Sequence, residues 1–172
     1  MRKLENQKEL IKASARTIII DKNQSISMRK IAKDCEISVG TLYNYYKNKS
    51  EIILDLMSDF WHDFIEEAIE VIKKSNDSFK QLRLLYDCLS ANAEKFRFTL
   101  LSSEMDNSLL LDKGRTLHRK AFGKFVGVIQ MIFPTISTDE ALFIAFNLFS
   151  IIKTKGYEYN LFEQVIKKYK VR

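Results

Sequence analysis

This sequence predicts an all-α fold: an N-terminal three-helix head joined by a long helix to a larger helical body. Three observations carry that prediction. The 172 residues include one proline, Pro134, and five glycines, too little punctuation for a chain of strands and tight turns. Apolar residues recur at three- and four-residue spacing almost from end to end. A content of 46% hydrophobic and 29% charged residues is the balance of an ordinary folded chain with a sizeable core.

Taken in order, Leu10, Ile11, Ala15, Ile18 and Ile19 mark a first helix that ends near Asp21-Lys22-Asn23, where Asn23 tolerates a left-handed turn. Ser27 caps a second helix with Ile31 and Ala32 inward, and Ser38 caps a third with Leu42 and Tyr46 inward, one turn apart. Asn48-Lys49-Ser50-Glu51 has the form of a capping box. From it an apolar stripe from Ile52 to Ile72 carries a helix to about Lys74, roughly 36 Å long. Ser75 to Ser78 breaks the pattern. Phe79 to Leu89 is helical again, and a short apolar segment spans Phe96 to Leu101. A long helix from about Leu109 stops at Phe133-Pro134, because proline cannot continue it. Ser137 or Thr138 caps the next helix, with Asp139 and Glu140 opposing its dipole. Leu142 to Ile152 is apolar on most faces, Gly156 ends that helix, and Leu161 to Tyr169 is a last amphipathic piece. The expected division is a head over residues 1–48 and a body over 49–172.

Charge separates the same two parts. Residues 1–50 hold eleven Lys and Arg against five Asp and Glu, whereas residues 51–172 hold seventeen of each, so the net +6 lies wholly in the head. A basic module on a neutral body suits docking on a polyanion by one end, although a merely basic solvated surface has the same balance. Cys35 and Cys88 show no ligand or disulfide spacing and suit a reducing cytoplasm. The N-terminus lacks the apolar core of a signal peptide, and the greasiest run, Ala141 to Ile152, is too short to span a bilayer. The expectation is a cytoplasmic chain with no cofactor.

Ser27 to Lys49 reads SMRKIAKDCEISVGTLYNYYKNK: two short amphipathic helices, over about residues 27–46, around a tight turn. That is the form of a helix-turn-helix, which lays its second helix in the major groove of double-stranded DNA. With Leu42 and Tyr46 inward, Gly40, Tyr43, Asn44 and Lys47 face outward. Asn44 can pair with an adenine edge, and Tyr43 and Tyr45 can meet thymine methyls or phosphates. Gly40 permits close approach to the backbone and Thr41 offers a hydroxyl. Lys47 and Lys49 suit phosphates, Lys49 in the first turn of the long helix, where free N–H groups attract anions. Arg29 and Lys30, at the start of the second helix, can reach a base edge or a phosphate.

This stretch resembles the DNA-binding head of the TetR/AcrR family of bacterial transcriptional regulators over about residues 4–64. Ile31-Ala32, Ile37-Ser38, Gly40-Thr41-Leu42-Tyr43, Tyr46-Lys47 and Lys49 fall in step with the family pattern. The resemblance implies that Arg29, Thr41, Tyr43, Asn44 and Tyr45 meet DNA, with Lys47 and Lys49 on phosphates. There are two departures: Lys22-Asn23 replaces a glycine and an aromatic after the first helix, and Glu36 replaces a glycine in the turn. If that turn needs positive φ, Glu36 carries a strain of about 1 kcal/mol.

For the remainder, the resemblance implies an effector-binding and dimerisation domain without naming the effector. The body's Phe- and Leu-rich stripes would line a mainly apolar pocket, suited to a small apolar or aromatic effector. Its candidate residues are Trp61, Phe64, Tyr86, Phe96, Phe98, His118, Phe122, Phe143 and Phe146, many of which would serve equally as plain core. One head reads only a few base pairs, so a homodimer on a palindromic operator is expected. Its interface is expected from the helices at about 115–133 and 139–152, where Gly123-x-x-x-Gly127 permits close approach, whether to a second copy or within the chain. The implied function is a ligand-responsive, sequence-specific repressor released by its effector. A regulator without a ligand and a protein-interaction module of the same fold are the alternatives. Enzymatic chemistry has no support: His62 and His118 lack metal-ligand spacing, and no phosphate loop or nucleophile elbow is present. A redox-sensing Cys35 competes with an inert, buried one.

Overall fold

The computed structural model of the chain describes residues 2–21, 26–93, 108–154 and 159–169, and among these every regular element is helical. In chain order they are α1 (Arg2–Arg16), α2 (Met28–Asp34), α3 (Val39–Tyr43), α4 (Lys49–Ile72), α5 (Ser78–Ala91), α6 (Ser108–Ile132), α7 (Thr138–Thr154) and α8 (Tyr159–Tyr169). Lys22-Asn23, the segment Phe96 to Leu101 with both Phe96 and Phe98, and Gly156 lie outside the described residues. No helix among those described is long and apolar enough to cross a membrane.

The chain forms two compact units, Met1–Phe60 with Glu94–His118, and Trp61–Ala93 with Arg119–Arg172. The division falls inside α4. The reason is packing: Ile52, Ile53, Leu56 and Met57 of α4 are buried among Ile11, Ala15, Ile31, Ala32, Leu42 and Tyr46, and Leu117 of α6 packs against the same core.

Two local features of the first unit depart from simple periodicity. α1 runs into a π-helical turn, Thr17–Asp21. Thr17-Ile18-Ile19-Ile20 sets four β-branched side chains in a row, which crowd the preceding turn of an α-helix, and the wider turn still buries Ile18. α3 is shorter than the two turns expected over Gly40 to Lys47. It ends at Tyr43, where Asn44 N–H bonds to the Thr41 carbonyl (3.2 Å) and Tyr45 N–H to that of Leu42 (3.0 Å), tightening the last turn to i→i−3 spacing.

In the second unit, capping side chains fix the helix ends. Asp77 Oδ1 accepts from Lys80 N–H (2.8 Å) at the start of α5. Gln81 Nε2 donates to the carbonyls of Ile72 and Ser75 that follow α4. Of the two candidate caps for α7 it is Ser137 that acts: its Oγ accepts from Glu140 N–H, and its own N–H and hydroxyl donate to Glu140 Oε2, both at 2.8 Å. Those bonds from Ser137 hold the Glu140 carboxyl below the usual carboxylate range. Between the helices lies a cluster of rings. Phe125 meets Phe149 edge-on at 5.1 Å and Phe64 at 5.7 Å, Phe122 meets Phe146 at 4.8 Å, and Trp61 meets Phe64 at 6.0 Å. These separations are those at which tilted and edge-to-face pairs attract.

Candidate nucleic-acid interface

Ser27 opens α2 in extended geometry (φ −139°, ψ 151°), its Oγ accepting from Lys30 N–H at 3.2 Å. α2 closes in a Schellman motif: Ile37 N–H reaches the Ala32 carbonyl (3.0 Å) and Glu36 N–H that of Lys33 (3.2 Å). This motif requires a left-handed residue, and Glu36 supplies it at φ 54°. The turn therefore holds the strain that a side chain pays where glycine would sit freely. Ile37 then packs on the head core, which sets where α3 begins.

Ser38 Oγ accepts from Thr41 N–H at 2.9 Å and shares a 2.8 Å hydroxyl contact with Thr41 Oγ1. One side of α3 is sealed, with Leu42 fully buried and Tyr46 only 3% exposed. The other side is open. Gly40, Tyr43, Asn44 and Lys47 are exposed, while Thr41, Tyr45 and Lys49 are half-buried. Tyr43 shows 52% of its surface to solvent, although a phenol ring on a protein surface gains little from water. On α2, Arg29 is exposed and Lys30 half-buried. The nine residues expected to meet DNA thus lie on or beside one short helix–turn–helix segment, and none of them is fully buried.

Past α3, the capping box forms with one shift of register. Glu51 N–H donates to Asn48 Oδ1 (3.0 Å), but Glu51 Oε2 accepts from Lys47 N–H (2.7 Å), one residue before the cap. That bond fixes the backbone that carries Lys47.

Beneath this surface runs a polar ladder that was not expected from the sequence. Lys8 and Lys12 stand one turn apart on α1, and Asp55 and Asp59 one turn apart on α4. Lys12 Nζ lies 2.7 Å from both Asp59 and Glu9, its side chain only 13% exposed. Burial alone would depress its ammonium, but the bonds to Asp59 and Glu9 outweigh that and raise its pKa. Lys8 Nζ is 3.7 Å from Asp55 and 5.0 Å above the Tyr46 ring. Tyr46 donates its hydroxyl to Asp55 Oδ2 at 2.9 Å, and burial followed by that bond pushes the phenol pKa well up, leaving it a donor at neutral pH. The matched i,i+4 spacing of the lysines and the aspartates was the available signal.

Residues 11–56 match the family of bacterial regulatory proteins described as the tetR family. Over those residues the chain is similar to the TetR family. A fatty acid metabolism regulator protein of Bacillus subtilis (strain 168) is 31% identical to this chain over 77 residues, 45% of this chain and 40% of that protein. The HTH-type transcriptional regulator SAB2452 of Staphylococcus aureus (strain bovine RF122 / ET3-1) is 32% identical over 89 residues, 44% of this chain and 48% of that protein. The chain spans less than half the length of these curated relatives. Among solved structures, the transcriptional regulator FadR from Bacillus subtilis in complex with stearoyl-CoA superposes with a TM-score of 0.62 at 20% identity, covering 92% of this chain and 94% of that one. The fatty acid degradation regulator FadR from Bacillus halodurans gives 0.63 at 16% identity, over 94% and 93%. At such identities the likeness is one of fold.

The described residues expected to line an effector pocket differ in exposure. Trp61 and Phe64 are buried to 2% and 1%, and Tyr86 stacks on Tyr159 at 4.5 Å. Phe122 is half-buried, whereas Phe143 and Phe146 are 56% and 61% exposed. His118 belongs to the first unit and is half-buried, and that burial lowers its imidazole pKa. Phe125 and Phe149 join the ring cluster although neither was expected there. Burial pushes the Cys35 thiol up, and the thiol donates to the Leu10 carbonyl at 3.7 Å, features of an inert cysteine. Among the described residues no group of three or more His, Cys, Asp or Glu is placed to hold a metal ion.

Proposed function

We propose that this chain is a sequence-specific DNA-binding regulator that works as a homodimer, each copy placing α3 in the major groove of one half of a palindromic operator, and that a small apolar effector releases it. The observation that carries this reading is the two-sided character of α3 and the turn that follows it: Leu42 and Tyr46 buried, with Tyr43, Asn44 and Lys47 presented to solvent. In this reading Asn44, Tyr43 and Tyr45 meet base edges, Gly40 and Thr41 approach the sugar-phosphate chain, and Arg29, Lys30, Lys47 and Lys49 neutralise phosphates.

Support for a second copy comes from α7 and α8. Phe143 and Phe146 on α7, and Leu161 and Val165 on α8, are large apolar side chains left 38% to 61% exposed. Between these helices an open groove of about 390 Å³ is lined by Phe143, Ile151, Leu161, Phe162 and Val165. Apolar surface of this kind marks an association face. The proposed interface is therefore α7 with α8, and Phe143 and Phe146 pass to it from the effector wall. On α6, the other helix expected there, a Cβ placed on Gly123 or Gly127 meets nothing within 4 Å, which leaves that face open to a second copy. The glycine pair thus makes no tight contact among the described residues of its own chain. Trp61, Phe64, Tyr86 and Phe122 remain the proposed apolar wall for the effector.

Selection of duplexes from a random pool, followed by titration at one fixed salt concentration, tests the reading. The expected result is an enriched inverted repeat bound on the order of 10³-fold more tightly than its scrambled version. Enrichment of no sequence, or equal binding of both duplexes, contradicts it. Stearoyl-CoA, with which the structurally similar Bacillus subtilis FadR was crystallised, is the first effector to add. Loss of operator affinity supports a long-chain effector, and unchanged affinity at saturation excludes that one.

A further inference from the structure

α3 is five residues long, far below the length at which a helix holds itself, so its direction must come from what it is anchored to. Leu42 anchors it by apolar contact, which is non-directional. Ser38 fixes its first turn. At its far end the directional anchor is Tyr46, whose buried ring carries a hydroxyl bonded to Asp55 of α4 at 2.9 Å. Asp55 is itself held, with Lys8 Nζ at 3.7 Å and the same ammonium above the Tyr46 ring. One turn along α4, the Lys12–Asp59 bond at 2.7 Å fixes α1 to the same helix. The bonded phenol thus ties the end of the groove-reading segment to α4.

Resting on the DNA-binding reading above, we infer that Asp55 is a positioning residue for sequence recognition: by accepting the Tyr46 hydroxyl it fixes the path by which the chain leaves α3, and so the angle at which Tyr43 and Asn44 meet base edges. Asp55 does not touch DNA in this account. Its loss disturbs discrimination between sequences, which depends on base-edge geometry, and spares the phosphate attraction that all duplexes share.

The test compares wild type, Tyr46→Phe, Asp55→Ala, Asp55→Asn and the double variant Tyr46→Phe/Asp55→Ala. Each is titrated with the duplex enriched by wild type and with its scrambled version, and thermal melting is followed by circular dichroism. Tyr46→Phe keeps the ring and removes one oxygen, so it carries the test even where Asp55→Ala fails to fold. The expected result is that Tyr46→Phe and Asp55→Ala each lower the ratio of specific to scrambled affinity roughly five- to tenfold, the scale of one half-exposed, charge-assisted hydrogen bond. Scrambled-duplex affinity stays within about twofold, the double variant is no worse than either single one, and Asp55→Asn, which keeps an acceptor oxygen, retains the ratio. An undiminished ratio in Tyr46→Phe and Asp55→Ala, with only a lower melting temperature, overturns the inference and leaves a purely structural bond. An Asp55→Asn variant as poor as Asp55→Ala overturns it as well. Failure of wild type to enrich any sequence instead removes the DNA-binding reading, and the inference with it.

Discussion

Around Tyr46 the first compact unit is tied by directional contacts: a phenol on a carboxylate, two lysines on two aspartates one turn apart, and hydroxyl caps at the starts of α2 and α3. The second unit is tied mainly by rings, with Phe64, Phe122, Phe125, Phe146 and Phe149 meeting one another at 4.8 to 6.4 Å. Directional bonds fix a geometry to within fractions of an ångström, as a surface that must fit a rigid helical polymer requires. Ring packing fills volume and tolerates exchange of one apolar side chain for another. The family match to residues 11–56 falls in the directional part. The ring-packed body lies outside that match.

The largest expected effect lies on the body's exposed apolar face. Replacing Phe143 and Phe146 together by Glu puts four like charges at the proposed two-fold interface. Sedimentation should then show a monomer, and operator affinity should fall on the order of 10²- to 10⁴-fold as the two heads cease to bind as one ligand. A dimer of undiminished stability would move the interface elsewhere. Next in size is Lys12→Ala, which removes the 2.7 Å partner of both Asp59 and Glu9 at a site where the lysine was 13% exposed but the carboxylates reach water. Urea unfolding should register a loss of about 1 kcal/mol, less than for a fully buried pair. If the ladder contributes nothing, the two unfolding midpoints coincide.

Glu36→Gly should act in the opposite direction. Relief of the left-handed strain at φ 54°, about 1 kcal/mol, is partly offset by the added entropy of the unfolded chain, for a net gain of about 0.3 kcal/mol with operator selectivity intact. The smallest effect is the pH dependence carried by His118. Burial holds its imidazole below the ordinary 6.5, so as pH falls the unfolded chain takes up this proton first. The stability due to the neutral ring is complete above about pH 6.5 and declines below it. Melting temperatures of wild type and His118→Asn should therefore diverge between pH 7 and pH 5, with the wild type steeper.

What could be read from the sequence follows the same contrast. Caps, helical stripes and the two faces of α3 were legible because each depends on residues three or four apart: Ser38 with Thr41, Asn48 with Glu51, Leu42 with Tyr46. The left-handed Glu36 was legible too, from a missing glycine. The early end of α3 was not, since it turns on a switch to i→i−3 bonding at Asn44 and Tyr45 that leaves no mark on residue pattern. The Tyr46–Asp55 bond joins residues whose proximity only the folded chain creates. In the body, a phenylalanine on a stripe reads the same whether it is core, pocket wall or dimer face. Phe125 and Phe146 therefore looked alike in sequence and ended at 0% and 61% exposed.

Methylation protection on the enriched duplex tests most directly whether the open side of α3 enters a groove. Dimethyl sulfate reports guanine N7 in the major groove and adenine N3 in the minor groove. The account predicts guanine N7 protection in two patches about 34 Å apart, one helical turn, and its loss from both patches in Tyr43→Ala/Asn44→Ala. Protection confined to adenine N3, or major-groove protection unchanged in that variant, would contradict it.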